Sequence, residues 1–134
     1  MIVYVLLWQV ANYFLNAVLK NALRQPRPVG PLPSANIEYL ERHKYYGMPS
    51  GHVQLVVSMG VLTMLVLVRA RFPNAGPQLA ALILAMPLLA FQMGVTMWQR
   101  VSYQRHDIPQ VLVGGGLGAV FALLFYRVAY AYRK

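Results

Sequence analysis

The fold of this chain is decided by the stretch Met48-Pro49-Ser50-Gly51-His52 and by the uncharged run that follows it, VQLVVSMGVLTMLVLV at residues 53–68. Pro49 stands where a helix can begin without losing a needed N–H. A helix N-terminus presents unpaired backbone N–H groups and the positive end of the helix dipole, which together favour an anion.

The side chains of this stretch suit such an anion. Gly51 lets it approach the backbone closely, Ser50 offers a hydroxyl, and His52 can hold or release a proton near neutral pH. The stretch therefore predicts either half of a phosphate site or an ordinary helix cap with one interfacial histidine.

The composition of the chain is that of an integral membrane protein. Of its 134 residues, 58% are hydrophobic and 11% are charged, whereas soluble domains carry roughly 25% charged residues. The charged residues gather at a few points and leave four apolar segments, each able to cross a hydrocarbon core of about 30 Å. We therefore predict an all-α bundle of four transmembrane helices in one domain, residues 1–134, with the active site at one membrane face.

The predicted helices span residues 1–23, 49–70, 77–98 and 108–130, with a loop at 29–47. Pro26 and Pro28 end the first helix, and Pro87 predicts a kink in the third. Asp107 is a credible N-cap for the fourth. We expect the first segment to be a helix and not a cleaved signal peptide, because it has neither a basic start nor a small-residue cleavage site.

The basic residues do not predict nucleic-acid binding. Twelve Lys and Arg against three Asp and Glu give a net charge of +9, but they lie at the segment ends and not on a soluble face. The chain has no cysteine, so thiolate chemistry and the usual zinc ligand sets are excluded. Three carboxylates are few for a magnesium site that bridges phosphates, and we predict neither a metal nor a cofactor.

Three polar clusters are predicted to meet at one membrane face, because four successive crossings put the end of the first helix, the start of the second, the end of the third and the start of the fourth on the same side. The clusters contain Lys20, Arg27, Ser50, His52, Arg100 and His106. The opposite face is basic and has no acid; its residues are Arg69, Arg71, Arg127, Arg133 and Lys134. The positive-inside rule therefore predicts an extracytoplasmic site, at the luminal face of the endoplasmic reticulum in a eukaryote or the periplasmic face in a bacterium.

Together these residues predict a phosphate cradle with two acid/base or nucleophilic groups. Guanidinium forks and an ammonium match the charge that develops on phosphoryl oxygens during transfer. Without a metal, one imidazole would attack phosphorus and the other would protonate the leaving oxygen. The simpler interpretation is that the cations only bind lipid headgroups at the interface, and we favour it for Arg24 and Arg105.

Four glycines lie in the last apolar segment, at positions 114, 115, 116 and 118. Small residues let helix backbones approach closely in lipid. Because no strand precedes this cluster, we interpret it as helix packing and not as a nucleotide-binding loop.

The spacing of the polar residues resembles a known family. Six residues separate Lys20 from Arg27-Pro28, Pro49-Ser50-Gly51-His52 follows, and five residues separate Arg100 from His106. In this order they resemble the three motifs of the type-2 phosphatidic acid phosphatase superfamily, over residues 16–118. That superfamily includes lipid phosphatases, undecaprenyl-diphosphate phosphatases and vanadium haloperoxidases.

The resemblance implies a set of roles. His106 would be the nucleophile that forms a phosphohistidine, and His52 would be the general acid. The residues implied to hold the phosphate are Lys20, Arg27, Ser50, Gly51 and Arg100.

The third motif departs from the family at two positions. The family usually has Ser before the arginine and Asp four residues after the histidine, whereas this chain has Gln99 and Gln110. A neutral Gln110, one helical turn from His106, can accept the imidazole N–H but stabilises an imidazolium less than Asp does. Gln110 also fits a capping box with Asp107, and the sequence leaves both roles open.

Gln110 also suggests a branch of the superfamily. The stretches LKNALRQPRP at 19–28, YGMPSGH at 46–52 and HDIPQVLVGG at 106–115 are similar to dolichyl-diphosphatases, whose third motif carries Gln at this place. That branch usually has Ser where this chain has Gly51. Since relatives often carry additional helices and termini, we expect the chain to correspond to a minimal core.

The resemblance implies a polyprenyl diphosphate, dolichyl diphosphate first, as the lipid substrate. The alternatives are another lipid phosphate, such as phosphatidic acid or phosphatidylglycerol phosphate, and a non-catalytic bundle that binds lipid headgroups. A haloperoxidase shares the phosphate cradle, but those enzymes are soluble. The sequence leaves protein partners open.

Overall fold

A computed structural model describes residues 2–28, 46–69 and 75–131. These parts of the chain contain four helices, α1 Ile2–Leu23, α2 Gly51–Arg69, α3 Ala75–Ser102 and α4 Ile108–Ala131. Most of the predicted loop, residues 29–45, lies outside the described residues. The two ends of that loop meet, because Pro26 pairs with Tyr46 in an antiparallel bridge and the Gly47 N–H donates to the Gln25 carbonyl at 2.7 Å.

Among the described residues, three helices are long and apolar enough to cross a membrane, namely α2, α3 and α4. The remaining helix, α1, is continuous, but polar side chains at Gln9, Asn12 and Asn16 interrupt its apolar sequence. Lys20 lies in its last turn. The all-α architecture is thus confirmed, while a membrane crossing by α1 stays a prediction. No residue of α3 is buried against the rest of the protein, and an apolar helix of this kind suits a lipid environment.

The centre of the fold is α2, which packs most extensively on α4 and next on α3. Near the start of both α2 and α4, Val53, Val57 and Val111 form a buried cluster. Further along the same helices a second cluster contains Leu62, Ala122 and Phe125. Two apolar clusters on one pair of helices hold their N-termini side by side, which is where the predicted site residues lie.

The α1 helix is attached to α4 by an aromatic contact. The Trp8 ring lies 4.4 Å from the Phe121 ring and 4.9 Å from the Phe125 ring, measured between centroids. Its indole N–H donates to the Phe121 carbonyl at 3.1 Å. Burying the ring while satisfying its N–H makes Trp8 an anchor with a defined orientation.

The glycines of α4 serve close packing, as predicted, at three of the four positions. A Cβ on Gly114 would lie 2.6 Å from the Ser50 carbonyl oxygen, and one on Gly118 would overlap the Gln54 carbonyl oxygen of α2. A Cβ on Gly115 would lie 2.7 Å from the Met97 methyl group of α3. Gly116 differs, because nothing lies within 4 Å of the corresponding position.

Two helix boundaries differ from the prediction at the site. The second helix begins at Gly51 and not at 49, because the Pro49 carbonyl is engaged by α1 and Ser50 takes the N-cap position. The third helix extends to Ser102 instead of ending at 98, and continues without interruption through Pro87. The extra turn carries Arg100, so this predicted site residue belongs to a helix and not to the polar stretch after it.

A paired substitution in α4 tests the close contact with α2. Gly118→Ala should destabilise the protein by about 1–3 kcal/mol, the typical effect of overpacking, because its methyl group would meet the backbone at Gln54. Gly116→Ala, on the same helix, should be neutral or slightly stabilising, since alanine favours a helix more than glycine does. The measurement is unfolding in detergent, followed by circular dichroism. Equal destabilisation by both substitutions would contradict the assigned packing.

Candidate active site

The N-terminus of α2 presents donors without partners in the helix. The first helical bond runs from the Gln54 N–H to the Ser50 carbonyl at 2.9 Å, so the N–H groups of Gly51, His52 and Val53 precede it and have no partner within α2. Ser50 is fully buried, and its hydroxyl oxygen has no hydrogen-bond partner among the described residues. An N-cap serine ordinarily uses its hydroxyl to cap the helix. The Ser50 hydroxyl does not cap α2 in this way and can hydrogen-bond to a group bound at the helix N-terminus.

The predicted cations surround this N-terminus. Lys20, in the last turn of α1, donates from Nζ to the Tyr46 carbonyl at 3.0 Å. Arg100, in the last turn of α3, has a buried Nε with no hydrogen-bond partner in the described part of the chain. The charges of Lys20, Arg27 and Arg100 all act on the exposed His52 ring. A dense positive field at a helix N-terminus is suited to a phosphate.

His106 lies buried at the junction of α3 and α4, with 4% of its surface exposed. Its backbone N–H donates to the Arg100 carbonyl at 3.1 Å, which connects the loop to the last turn of α3. Its Nδ1 lies 3.1 Å from the Gln110 Oε1. When Nδ1 donates its hydrogen to that oxygen, Nε2 carries the lone pair of the neutral ring, which is the arrangement a nitrogen nucleophile requires.

Gln110 joins all three predicted motifs and is fully buried. Its Oε1 lies next to His106, its Nε2 donates to the Pro26 carbonyl at 2.9 Å, and its own carbonyl accepts the Ser50 N–H at 3.0 Å. A side chain at Gly47 would overlap the Gln110 amide. The amide therefore accepts a hydrogen bond on one side and donates one on the other, and a carboxylate could not donate to Pro26.

The two roles left open for Gln110 coexist in the structure. Besides facing His106, its Oε1 accepts the Asp107 N–H at 3.4 Å, which is one half of a capping box. Asp107 precedes the first residue of α4 and accepts the Val111 N–H at 3.1 Å, as expected of the N-cap. Both contacts fix the side chain of Gln110 relative to the start of α4.

The pKa of His106 is lowered from 6.5 to about 4, with burial as the largest cause and the positive charges of Arg27 and Lys20 acting in the same direction. The hydrogen bond to Gln110 and a backbone contact with Gly47 oppose the change and are already included in that value. An imidazole with this pKa is neutral at physiological pH. A neutral imidazole keeps a lone pair on one ring nitrogen, which is the form that a nitrogen nucleophile requires.

Gly51 is only half-buried, but the space where its side chain would be is taken. A Cβ there would lie 2.9 Å from the Asn16 Oδ1 of α1. The close approach predicted for an anion at Gly51 is thus made, on this side of the residue, by an amide of the neighbouring helix. Asn16 was not predicted as a site residue, and the signal that could have found it is an amide in an apolar segment, four positions before Lys20.

An open hollow of about 360 Å³ lies on one side of His106, between the end of α3 and the start of α4. Its lining is mostly apolar and comprises Pro28, Val101, Gln104, His106, Asp107, Ile108 and Pro109. The predicted nucleophile is thus buried by the protein yet borders a surface opening.

Comparison with known families identifies the family of the chain as a whole. The chain matches the family model described as PAP2 superfamily over residues 1–134. The chain belongs to the PAP2 superfamily. Membership makes it a relative of phosphatases that act on lipid phosphates, and the helices long enough to cross a membrane agree with a membrane-bound member of that superfamily.

Several curated PAP2 relatives are similar to this chain. One is Lipid phosphate phosphatase epsilon 2, chloroplastic, of Arabidopsis thaliana, at 33% identity over 87% of this chain and 36% of the relative. Dolichyldiphosphatase of Saccharomyces cerevisiae is 28% identical over 90% of this chain and 48% of the relative. Dolichyldiphosphatase 1 of Rhinolophus ferrumequinum is 31% identical over 87% and 48%. The chain thus spans between a third and a half of these relatives, and no solved structure matches it significantly.

The pH dependence of turnover tests the protonation state of His106. With a pKa of about 4, the imidazole stays neutral as the pH falls to about 5, and kcat/KM should then fall tenfold per pH unit as His106 becomes protonated. Gln110→Glu would place a carboxylate beside the ring, raise its pKa and move this acid limb to higher pH. A limb caused by the substrate's own titration would not move in Gln110→Glu, whereas a limb of the unaltered protein at pH 6–7 that does move in Gln110→Glu would contradict the assigned pKa.

Gln110→Ala tests the dual amide contact at constant pH. It should lower turnover per folded molecule by about ten- to hundredfold, the effect of losing a partner that orients a reacting side chain. Gln99→Ala, which removes an exposed glutamine from the third motif, should leave turnover nearly unchanged. If Gln110→Ala instead lowers only the melting temperature, Gln110 serves the helix cap and does not orient His106.

Proposed function

We propose that this PAP2 protein is a metal-independent membrane phosphatase that hydrolyses a polyprenyl diphosphate, with dolichyl diphosphate as first choice, to the monophosphate. The observation that carries the proposal is the position of His106. Its buried ring is held by Gln110 beside a helix N-terminus that three cations surround. A nucleophile in a preorganised anion site is what phosphoryl transfer without a metal requires.

In the first half of the reaction, Lys20, Arg27 and Arg100 hold the terminal phosphoryl group together with the Ser50 hydroxyl and the N–H groups at the start of α2. His106 Nε2 attacks phosphorus, an N–P bond forms, and the bond between phosphorus and the bridging oxygen breaks. His52 gives its proton to that oxygen, and the lipid monophosphate leaves.

In the second half, neutral His52 takes a proton from water, and the resulting oxygen attacks the phosphohistidine. The N–P bond breaks and inorganic phosphate leaves, so His106 returns to its neutral form and His52 to its protonated form. Gln110 keeps the ring oriented through both halves, because its Oε1 accepts the Nδ1 hydrogen throughout.

The choice of a polyprenyl diphosphate rests on the third motif and on two relatives. Gln110 stands where dolichyl-diphosphatases also carry Gln, and proteins named as dolichyldiphosphatases are 28% and 31% identical to this chain. Gly51 departs from that branch. In this chain the position faces Asn16, so a larger residue there requires Asn16 to move.

A second candidate is a phosphatase for another lipid phosphate, such as phosphatidic acid or phosphatidylglycerol phosphate. Two Arabidopsis proteins named as lipid phosphate phosphatases favour it, at 33% and 31% identity. Both candidates use the same cradle and nucleophile. They differ only in the group attached to the phosphate.

We also propose that the site faces away from the cytoplasm. The N-termini of α2 and α4 lie at the site, while Arg69 ends α2 and Arg127 lies near the end of α4. Basic residues at the opposite end of the helices favour a cytoplasmic location for that end. The site would then lie at the luminal face of the endoplasmic reticulum in a eukaryote, or the periplasmic face in a bacterium.

The test is phosphate release by the purified protein in detergent with EDTA, from dolichyl diphosphate, undecaprenyl diphosphate, phosphatidic acid and phosphatidylglycerol phosphate. We expect the prenyl diphosphates to be preferred, and His106→Ala to abolish turnover while leaving the melting temperature nearly unchanged. Equal turnover of all four lipids would contradict the prenyl assignment, and a strict requirement for magnesium would contradict the mechanism. Phosphate release that survives His106→Ala would exclude His106 as the nucleophile.

A further inference from the structure

A series of hydrogen-bonded amides joins α1 to α2 next to the phosphate site. Gln54 accepts from the Asn16 Nδ2 at 2.7 Å and donates from its Nε2 to the Asn12 Oδ1 at 2.6 Å. The series continues from the Asn12 Nδ2 to the Gln9 Oε1 at 3.2 Å, and from the Gln9 Nε2 to the Ser58 hydroxyl at 3.4 Å. We refer to Gln9, Asn12, Asn16, Gln54 and Ser58 as the amide ladder.

The ladder is built from two rows with matched spacing. Asn12, Asn16 and Lys20 follow one another at intervals of four on α1, and Ser50, Gln54 and Ser58 do so on α2. Residues four apart lie on the same face of a helix. The row on α1 runs from the apolar part of the helix to Lys20, and the row on α2 runs from Ser50 into the apolar part. Lys20 and Ser50 both belong to the proposed phosphate site.

The pairing specifies one register between the helices. Gln54 bonds to both Asn12 and Asn16, and all three are buried. A slip by one turn, about 5.4 Å, would separate these amides in apolar surroundings where water cannot replace the lost bonds. The same slip would move Lys20 by about one turn along α2 and away from Ser50. Single buried amides fix the register of coiled coils in the same way.

Asn16 also contacts both neighbours of Ser50. Its Nδ2 donates to the Pro49 carbonyl at 3.3 Å, and its Oδ1 occupies the space beside Gly51, where a Cβ would lie 2.9 Å away. The segment that places the unpartnered Ser50 hydroxyl is thus held from α1 on one side. On the other side the Ser50 N–H donates to Gln110.

We propose that Asn16 and Gln54 are positioning residues, which set the register of α1 against α2 and so direct Lys20 and the Ser50 hydroxyl toward one and the same phosphate. The proposal rests on the proposed phosphatase function. Neither residue touches the reacting atoms, and each acts through the backbone and side chains that it holds.

The first experiment compares two asparagines of α1. Asn16→Ala removes the contacts with Gln54 and Pro49, whereas Asn21→Ala removes an exposed amide that bonds only to the Ala17 carbonyl of its own helix. We expect Asn16→Ala to lower kcat/KM by about tenfold or more and to weaken inhibition by vanadate, a mimic of the phosphoryl transition state, in proportion. Asn21→Ala should change neither. Loss of thermal stability with unchanged turnover per folded molecule and unchanged vanadate inhibition would overturn the proposal.

A double-mutant cycle tests whether Asn16 acts on the second motif directly. Gly51→Ala should reduce turnover, because its methyl group meets the Asn16 Oδ1. In the Asn16→Ala background that space is open, and the further reduction caused by Gly51→Ala should be several-fold smaller. Independent effects of the two substitutions would show that Asn16 and Gly51 do not share this contact, and the proposed route from α1 to the site would be wrong.

The register itself can be measured without a substrate. The chain has no cysteine, so a Gln9→Cys/Ser58→Cys pair, placed at the last rung, gives a cross-linking signal without background. A bifunctional thiol reagent with a short spacer, which replaces the length of the Gln9 side chain, should cross-link the pair in detergent in an otherwise unaltered chain and in the Asn21→Ala background, and several-fold less in the Asn16→Ala background. Equal cross-linking in all three would overturn the register assignment.

The two readouts separate the ladder from the function on which it rests. If the unaltered protein releases no phosphate from any lipid, the proposed function fails, while the cross-linking result still decides whether Asn16 sets the register. If the unaltered protein is active and Asn16→Ala keeps both its cross-linking and its vanadate inhibition, the phosphatase stands and the positioning role fails.

Discussion

The hydrogen bonds of Gln110 hold the candidate site together. Its backbone carbonyl accepts the Ser50 N–H, its Oε1 lies 3.1 Å from the His106 Nδ1, and its Nε2 donates to the Pro26 carbonyl. The start of α2, the start of α4 and the segment after α1 therefore share a single buried partner. Because a buried amide left without its partners is costly, the three segments are stabilised in one mutual arrangement, and the donor to Pro26 explains why an amide, and not a carboxylate, occupies this place.

The buried amides between α1 and α2 lie in apolar surroundings, where their hydrogen bonds favour one arrangement of the two helices over others. Inter-helix hydrogen bonds in lipid contribute on the order of 0.6–2 kcal/mol each, which is modest. Their larger effect is on alternatives, since a slip that separates Gln54 from Asn12 and Asn16 leaves buried amides without these partners. Burial is also the largest cause of the lowered pKa of His106, about 4, to which the charges of Arg27 and Lys20 contribute.

The sequence predicted the site better than it predicted the contacts that support it. Lys20, Ser50 and His106 follow from motif spacing and from counting apolar segments, and the structure places them at one end of the helices. Asn16 was missed because it lies inside a segment that was interpreted as an apolar membrane span, where single amides were not considered as contacts to the site. The hydrogen bond from Gln110 to Pro26 joins residues 84 apart in the chain. Hydrophobic periodicity predicts helices but not a contact between a helix and a distant loop. The boundary of α2 was misplaced for the same reason, since tertiary bonds to Pro49 and Ser50 decide it.

The length of α3 has a consequence for the lipid around the protein. Its 28 residues correspond to about 42 Å of helix, well beyond a hydrocarbon core of about 30 Å. A helix too long for its bilayer tilts or projects, and α3 packs on the core through the partly buried side chains of Met93, Met97 and Val101 and has no fully buried residue. Its last turn bears Arg100, whose carbonyl holds the backbone of His106. A membrane-spanning α3 would therefore connect the thickness of the bilayer to the backbone at His106 through this one hydrogen bond.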